Sequence, residues 1–226
     1  MGTIAIAVSA GAAGALGWCC RASARMASLV RGAGGGRPLR TGWRRRACWA
    51  LAAAFATGAV VASLPESGAN AFPSLIAAAL ALWAGALAIL ALIDHESLVV
   101  PTKLVRPAIV VAGSLLASGA LSTGDWRYLW QGAACAGMAA GSFGAWAAVN
   151  PRGLGFGDAR MASLVALGSG ALSPPGSLVA LACSALAAGL AGRRPARHVP
   201  GAERRAVALG PFLAVGGLVV VIAHAS

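Results

Sequence analysis

The chain has 226 residues, of which 58% are hydrophobic and only 11% charged, and its mean hydropathy is +0.77. Soluble domains carry about 25% charged residues, so the composition excludes an ordinary soluble fold and predicts an all-α, polytopic membrane protein. The formal charge of +12 does not point to nucleic acid, because the basic residues fill short gaps between apolar runs, where they set topology against an anionic membrane face.

Taken in order, eight apolar runs approach the length a helix needs to cross a hydrocarbon core of about 30 Å. Residues 2–18 are apolar, with no basic residue before them and Arg21 and Arg25 after. A secretory signal carries its charge in front, so this run reads as a retained helix with its N-terminus outside. The Trp18-Cys19-Cys20 corner lacks the small residue expected before a lipoprotein cysteine. Residues 21–46 hold eight arginines and Gly34-Gly35-Gly36, a flexible basic cytoplasmic loop. Residues 47–64 form the second span, and residues 65–72 an outside loop with Glu66 and neither Lys nor Arg.

Pro73 suits a first helical turn, and residues 74–93 form the third span, which ends in Asp94-His95-Glu96 and is followed by Pro101, Lys103 and Arg106. Pro107 is expected to open the fourth span, to about Ser122. A short connection holds Asp125 and Arg127, and residues 128–149 form the fifth span. Trp126, Tyr128 and Trp130 gather at its start, as aromatics do at a membrane interface. Gly137 and Gly141 make a G-x-x-x-G step that predicts a close helix contact. Asn150-Pro151-Arg152 breaks the chain before the sixth span, residues 158–172, which is short and ended by Pro174-Pro175. Residues 176–192 form the seventh span. A loop with Arg193, Arg194, Arg197, Arg204 and Arg205 follows, and residues 207–224 form the eighth span. No internal repeat is evident, and residues 1–226 read as one transmembrane domain.

Eight crossings put both termini outside and 17 of the 18 Lys and Arg residues on the cytoplasmic side, leaving only Arg127 outside. The same partition brings Asp94 and Asp158, 64 residues apart, to one cytoplasmic depth. Glu66 and Asp125 fall outside, and Glu203 lies among arginines. Asp158 closes the glycine-rich stretch Gly153-Leu154-Gly155-Phe156-Gly157, and a carboxylate at the edge of a hydrocarbon layer is costly enough to suggest function.

Two carboxyls a few ångströms apart do not both ionise easily, so one holds a proton near neutral pH. The ionised partner then takes a proton from water as it attacks a carbonyl, and the protonated one polarises the carbonyl oxygen. Other chemistries lack their residues. His95 is the one histidine near the pair, with His198 in a basic loop and His224 at the opposite face, so no Ser-His-Asp set, H-E-x-x-H or three-ligand zinc cluster forms. Cys19, Cys20, Cys48, Cys135 and Cys183 show no C-x-x-C spacing and read as small buried hydrophobes. No cofactor and no metal is expected. Simpler roles also exist: Asp158 as the N-cap of its helix, Asp94 as an interfacial charge, and His95-Glu96 as solvated helix-end residues.

Gly155-Phe156-Gly157-Asp158-Ala159-Arg160-Met161 resembles the G-x-G-D-x-K-[LM] signature of the type IV prepilin peptidases, membrane aspartyl proteases. Ile93-Asp94-His95-Glu96 with Val100-Pro101 and Leu104 resembles that family's first aspartate motif, and Leu209-Gly210-Pro211-Phe212-Leu213 its late G-P-F segment. The resemblance covers residues 73–220. It implies that Asp94 and Asp158 are the catalytic pair, that Gly155 and Gly157 shape the loop presenting Asp158, and that Arg160, Pro101 and Glu96 belong to the site, Glu96 against the basic leader of the substrate. It further implies a bacterial inner-membrane enzyme that cuts prepilins or pseudopilins on the cytoplasmic face, with the lipid bilayer as its other partner. Arg160 stands where the family has lysine, Thr102 where it has Asp or Asn, and Val105 where it has Thr. Paired C-x-x-C motifs, linked in many members to N-methylation, are absent, which implies a peptidase-only form or one whose methyltransferase function is lost. Presenilin-like proteases share Gly-x-Gly-Asp but place a tyrosine where Ile93 stands. An ion- or proton-coupled transporter and an inactive scaffold are the alternatives from other functional classes.

Overall fold

A computed structural model describes residues 74–98, 100–150, 154–192 and 208–225. The first two predicted spans, the basic loop at 21–46, the outside loop at 65–72, the arginines of 193–205 and both chain ends lie outside the described residues. Six helices carry the described chain: α1 (Ser74–Ser97), α2 (Thr102–Thr123), α3 (Arg127–Val149), α4 (Phe156–Leu172), α5 (Pro174–Gly192) and α6 (Gly210–Ala225). There is no strand among the described residues, so the fold is all-α. Three stretches, Thr102–Thr123, Arg127–Val149 and Pro174–Ala191, are long and apolar enough to cross a membrane; Ala79–His95 and Gly210–His224 are apolar but shorter.

Helix ends differ from expectation where proline was read too simply. The fourth span was expected to open at Pro107, yet α2 begins at Thr102 and Pro107 lies inside it. Pro101 is the true start: its backbone is extended (φ −71°, ψ 114°) and its carbonyl accepts the Leu104 and Val105 N–H groups at 2.9 and 3.3 Å. Pro107 then withholds only the bond to the carbonyl of residue 103, near the helix's polar end. Pro174-Pro175 does not merely end α4 but forms the first turn of α5, where a missing N–H costs nothing. Ser173 caps that turn, its Oγ accepting the Gly176 N–H at 3.2 Å and its carbonyl the Ser177 N–H at 2.8 Å.

Between α2 and α3 the chain reverses at Gly124, whose φ of +73° is left-handed and whose N–H donates to the Ala120 carbonyl at 2.8 Å. A side chain is strained there. Asp125 Oδ1 then accepts the backbone N–H of Arg127 at 3.0 Å, and the Arg127 guanidinium pairs with the same carboxylate at 2.9 Å. Those hydrogen bonds hold Asp125 below the usual carboxylate range.

The packing centre is α4. From Met161 to Leu172 every residue but Ser163 is buried, with α3 along one side and α1, α2, α5 and α6 around the rest. At 1.5 Å per residue its 17 residues span about 25 Å, shorter than a hydrocarbon core, and the surrounding helices shield it. Outer faces are instead apolar and exposed, including Val110, Leu121, Trp130, Trp146, Leu186 and Leu190, as hydrocarbon requires.

Small residues set how closely these helices approach. Trp83, 1% exposed, donates its indole N–H to the Leu164 carbonyl at 2.6 Å. Its ring lies across Gly168, where any Cβ would overlap it, and against Gly217. On α3, Gly132 faces the Leu167 carbonyl, and Gly170 of α4 faces Cys135. The contact predicted for Gly137 and Gly141 is absent among the described residues, for a Cβ at either would meet nothing within 4 Å. A helix turns about 100° per residue, so the face that buries Gly132, Cys135 and Ala139 turns those two glycines outward. Serines link the helices further: Ser163 Oγ donates to the Ala136 carbonyl at 3.1 Å, Ser169 Oγ to Ser177 Oγ at 2.9 Å, and Ser184 Oγ to the Phe212 carbonyl at 2.9 Å. No buried side-chain nitrogen or oxygen among the described residues lacks a partner.

This packing predicts different outcomes for two glycines. Gly168→Val forces the Trp83 ring aside and costs about 1–3 kcal/mol, the usual range for overpacking. Gly141→Ala stays within about 0.5 kcal/mol of the parent, as surface changes do. Denaturant unfolding of the detergent-solubilised protein measures both, and equal losses at the two positions would contradict the arrangement.

Candidate active site

The last turn of α1 brings Asp94 to one end of the bundle. Leu98 closes that turn, donating its N–H to the Asp94 carbonyl at 2.8 Å, and takes a left-handed conformation with φ +56°. Such a conformation costs an ordinary residue roughly 1–2 kcal/mol, and here it turns the chain sharply out of the helix. Val100 and Pro101, both buried, then run across the start of α4 before α2 begins. Gly157 allows that crossing: a Cβ on it would stand 3.1 Å from the Val100 Cβ and 3.3 Å from its carbonyl oxygen.

Asp158 lies in the first turn of α4, which begins at Phe156, two residues before the expected start. Its Oδ2 accepts the Gly155 N–H at 3.1 Å, and its own N–H donates to the Gly155 carbonyl at 3.1 Å. Asp158 therefore reaches back to the N-cap from the third helical position, which is one half of a capping box; glycine has no side chain to supply the other half. The N-cap role considered for Asp158 belongs to Gly155, and Asp158 serves it from within the helix. The Gly155 backbone is ordinary extended chain (φ −84°, ψ 151°), and a Cβ there would make only ordinary contacts, so its part in presenting Asp158 lies in its N–H.

Asp94 is only 3% exposed, and its Oδ2 accepts the backbone N–H of Gly210, the first residue of α6, at 2.7 Å. Met161, one turn beyond Asp158, packs against the same glycine. The ends of α1, α4 and α6 thus converge. The two aspartates expected to share a depth lie at this common end of the bundle, Asp94 buried and Asp158 half-buried.

Arg160, two residues beyond Asp158 on α4, donates from Nη1 to Thr102 Oγ1 at 2.8 Å. Two of the three positions that depart from the resembled pattern are therefore bonded to each other, and they tie the start of α2 to α4. Pro101 is the N-cap of α2, directly before Thr102. Glu96 belongs by its backbone to the last turn of α1; its side chain lies outside the described residues. His95, Lys103 and Arg106 are exposed at the same end. No group of three His, Cys, Asp or Glu side chains that could hold a metal occurs among the described residues. Sequence reasoning missed the roles of Gly210, Thr102 and Val100. Gly210-Pro211 was visible only as a motif, and nothing in the one-dimensional pattern says that its N–H ends on a carboxylate.

No protein-family model matches the chain, and neither a curated protein nor a solved structure does.

The Arg160–Thr102 bond is open to a double-mutant cycle. Arg160→Ala and Thr102→Ala should each loosen the bundle, and their combination should fall short of additivity by about 0.5–1.5 kcal/mol, the net worth of a hydrogen bond. Strict additivity in unfolding free energy would show that the two side chains do not interact.

Proposed function

We propose that the chain is a membrane aspartyl endopeptidase of the prepilin-peptidase type. It cuts the basic leader from type IV prepilins or pseudopilins at the cytoplasmic face of a bacterial inner membrane, within an eight-span topology whose termini lie outside. The observation that carries this reading is that separate helix ends bring Asp94 and Asp158 to one end of the bundle, where the Gly210 N–H holds Asp94 and Met161, one turn beyond Asp158, packs against that same glycine. A lone capping aspartate or a lone interfacial charge has no need of a second carboxyl. Lys103 and Arg106 lie at the same end as the pair, and Arg127 at the far end of α2, which favours a cytoplasmic site by the positive-inside rule.

In this mechanism the two carboxyls share one proton. The ionised one removes a proton from the attacking water, the protonated one donates to the peptide carbonyl oxygen, and both are restored when the amine leaves. The backbone N–H groups of Gly155 and Gly210 each hold one oxygen of a carboxyl, which fixes the direction of the others. The pair titrates as a unit, so acid and base roles belong to the dyad.

Asp94→Asn and Asp158→Asn retain an oxygen to accept those N–H groups and remove only the acid. Either change should lower cleavage of a pilin-like precursor in reconstituted membranes by about 10²–10⁴-fold, the contribution of a positioned acid or base, with membrane insertion unchanged. Normal processing by either single variant would end the dyad assignment.

A further inference from the structure

We infer that Gly210 is a positioning residue for Asp94, and that the seat of the α6 N-terminus decides whether the carboxyl pair is correctly set. The inference rests on the peptidase reading above for its kinetic consequence, but not for its geometry. Asp94 is 3% exposed, and a buried carboxyl is tolerated only where hydrogen bonds replace water. The Gly210 N–H supplies one at 2.7 Å, the short distance of a charge-assisted bond. As the first residue of α6 it offers one of the four N–H groups that a helix cannot satisfy internally.

Space, not backbone conformation, demands glycine at this position. Gly124 is the one glycine with positive φ among the described residues, so Gly210 has a backbone that any residue could adopt. A Cβ there would nevertheless stand 2.7 Å from Asp94 Oδ2, 3.0 Å from Asp94 Cβ and 3.0 Å from Met161 Sδ. It would press on the first aspartate and on the helix bearing the second. The first turn of α6 cannot easily yield. Pro211 restricts its backbone, the Leu213 N–H is bonded to the Leu209 carbonyl at 3.1 Å, and Ser184 Oγ of α5 grips the Phe212 carbonyl at 2.9 Å. Asp94 must therefore move instead, and the N–H that held it loses its alignment.

The test is Gly210→Ala in the full chain, reconstituted in membranes. Reaction of Asp94 with dicyclohexylcarbodiimide, an apolar reagent that reaches carboxyls within membranes, is followed by peptide mass spectrometry. A displaced Asp94 should react several-fold faster than in the parent. Cleavage of a pilin-like precursor should show kcat lowered by about 10–100-fold, as an ångström of misplacement does, with KM within about twofold. If the variant fails to insert, Gly210→Ala with Met161→Ala, which opens space beside the new methyl, gives the same readout. Unchanged labelling of Asp94 in an inserted variant overturns the inference, whatever happens to kcat. Faster labelling in a protein whose parent cleaves no such precursor keeps the positioning role and rejects the peptidase reading.

Discussion

A carboxyl group buried at the meeting of three helices, satisfied by a backbone N–H, is the constraint around which this structure is arranged. Asp94 sits 3% exposed at the end of α1 and bonds to the first residue of α6, 116 positions later in the chain. Loss of that partner would leave a polar group without water or donor, at a cost of about 1–3 kcal/mol or more for a charge. The fold avoids this by bringing α1, α4 and α6 to a common end. The same convergence brings the first turn of α4, which carries Asp158, to the end of the bundle that holds Asp94. Stability and proposed chemistry therefore draw on one arrangement.

Close approach of backbones makes that convergence possible. In hydrocarbon, helices gain little from burying apolar side chains, so contact depends on packing and on hydrogen bonds between helices. Here the Trp83 ring lies over Gly168 and Gly217, and its N–H reaches the Leu164 carbonyl, joining α1, α4 and α6 at the level of their middles. Serines at positions 163, 169, 177 and 184 add polar links between neighbours. At the site itself, Gly157 lets the Val100 crossing pass and Gly210 admits the Asp94 carboxyl. Arg160 and Thr102 fasten the start of α2 beside the Asp158 turn.

Much of the described fold was legible in the sequence because apolar length and turn chemistry are local. The runs that become α3 and α4 were bounded within two residues, since Asn150-Pro151 and Gly155 punctuate the chain strongly. Pro107 misled because a proline that suits a first turn is also tolerated one turn further in, and the choice depends on Pro101 acting as the cap. Gly137 and Gly141 meet no neighbour among the described residues, for a G-x-x-x-G spacing says that a face is flat, not which helix covers it. At the site, membrane depth alone led to the expectation that Asp94 and Asp158 share one end of the bundle. Their backbone donors could not be foreseen, because the Gly210 bond spans 116 residues and leaves no periodic trace. The Arg160–Thr102 bond was hidden similarly, inside two residues noticed only as departures from a pattern.

The adjacency of the two carboxyl positions is the claim on which the account stands, and thiol cross-linking in intact membranes tests it most directly. Asp94→Cys and Asp158→Cys are introduced together into a chain whose five native cysteines are replaced by alanine, and treated with the shortest bis-methanethiosulfonate reagents. The account predicts an intramolecular bridge joining residues 94 and 158, detected as one linked peptide. If each thiol reacts with a monofunctional reagent yet no short bridge forms between them, the pair does not exist as described and the proposed chemistry has no site.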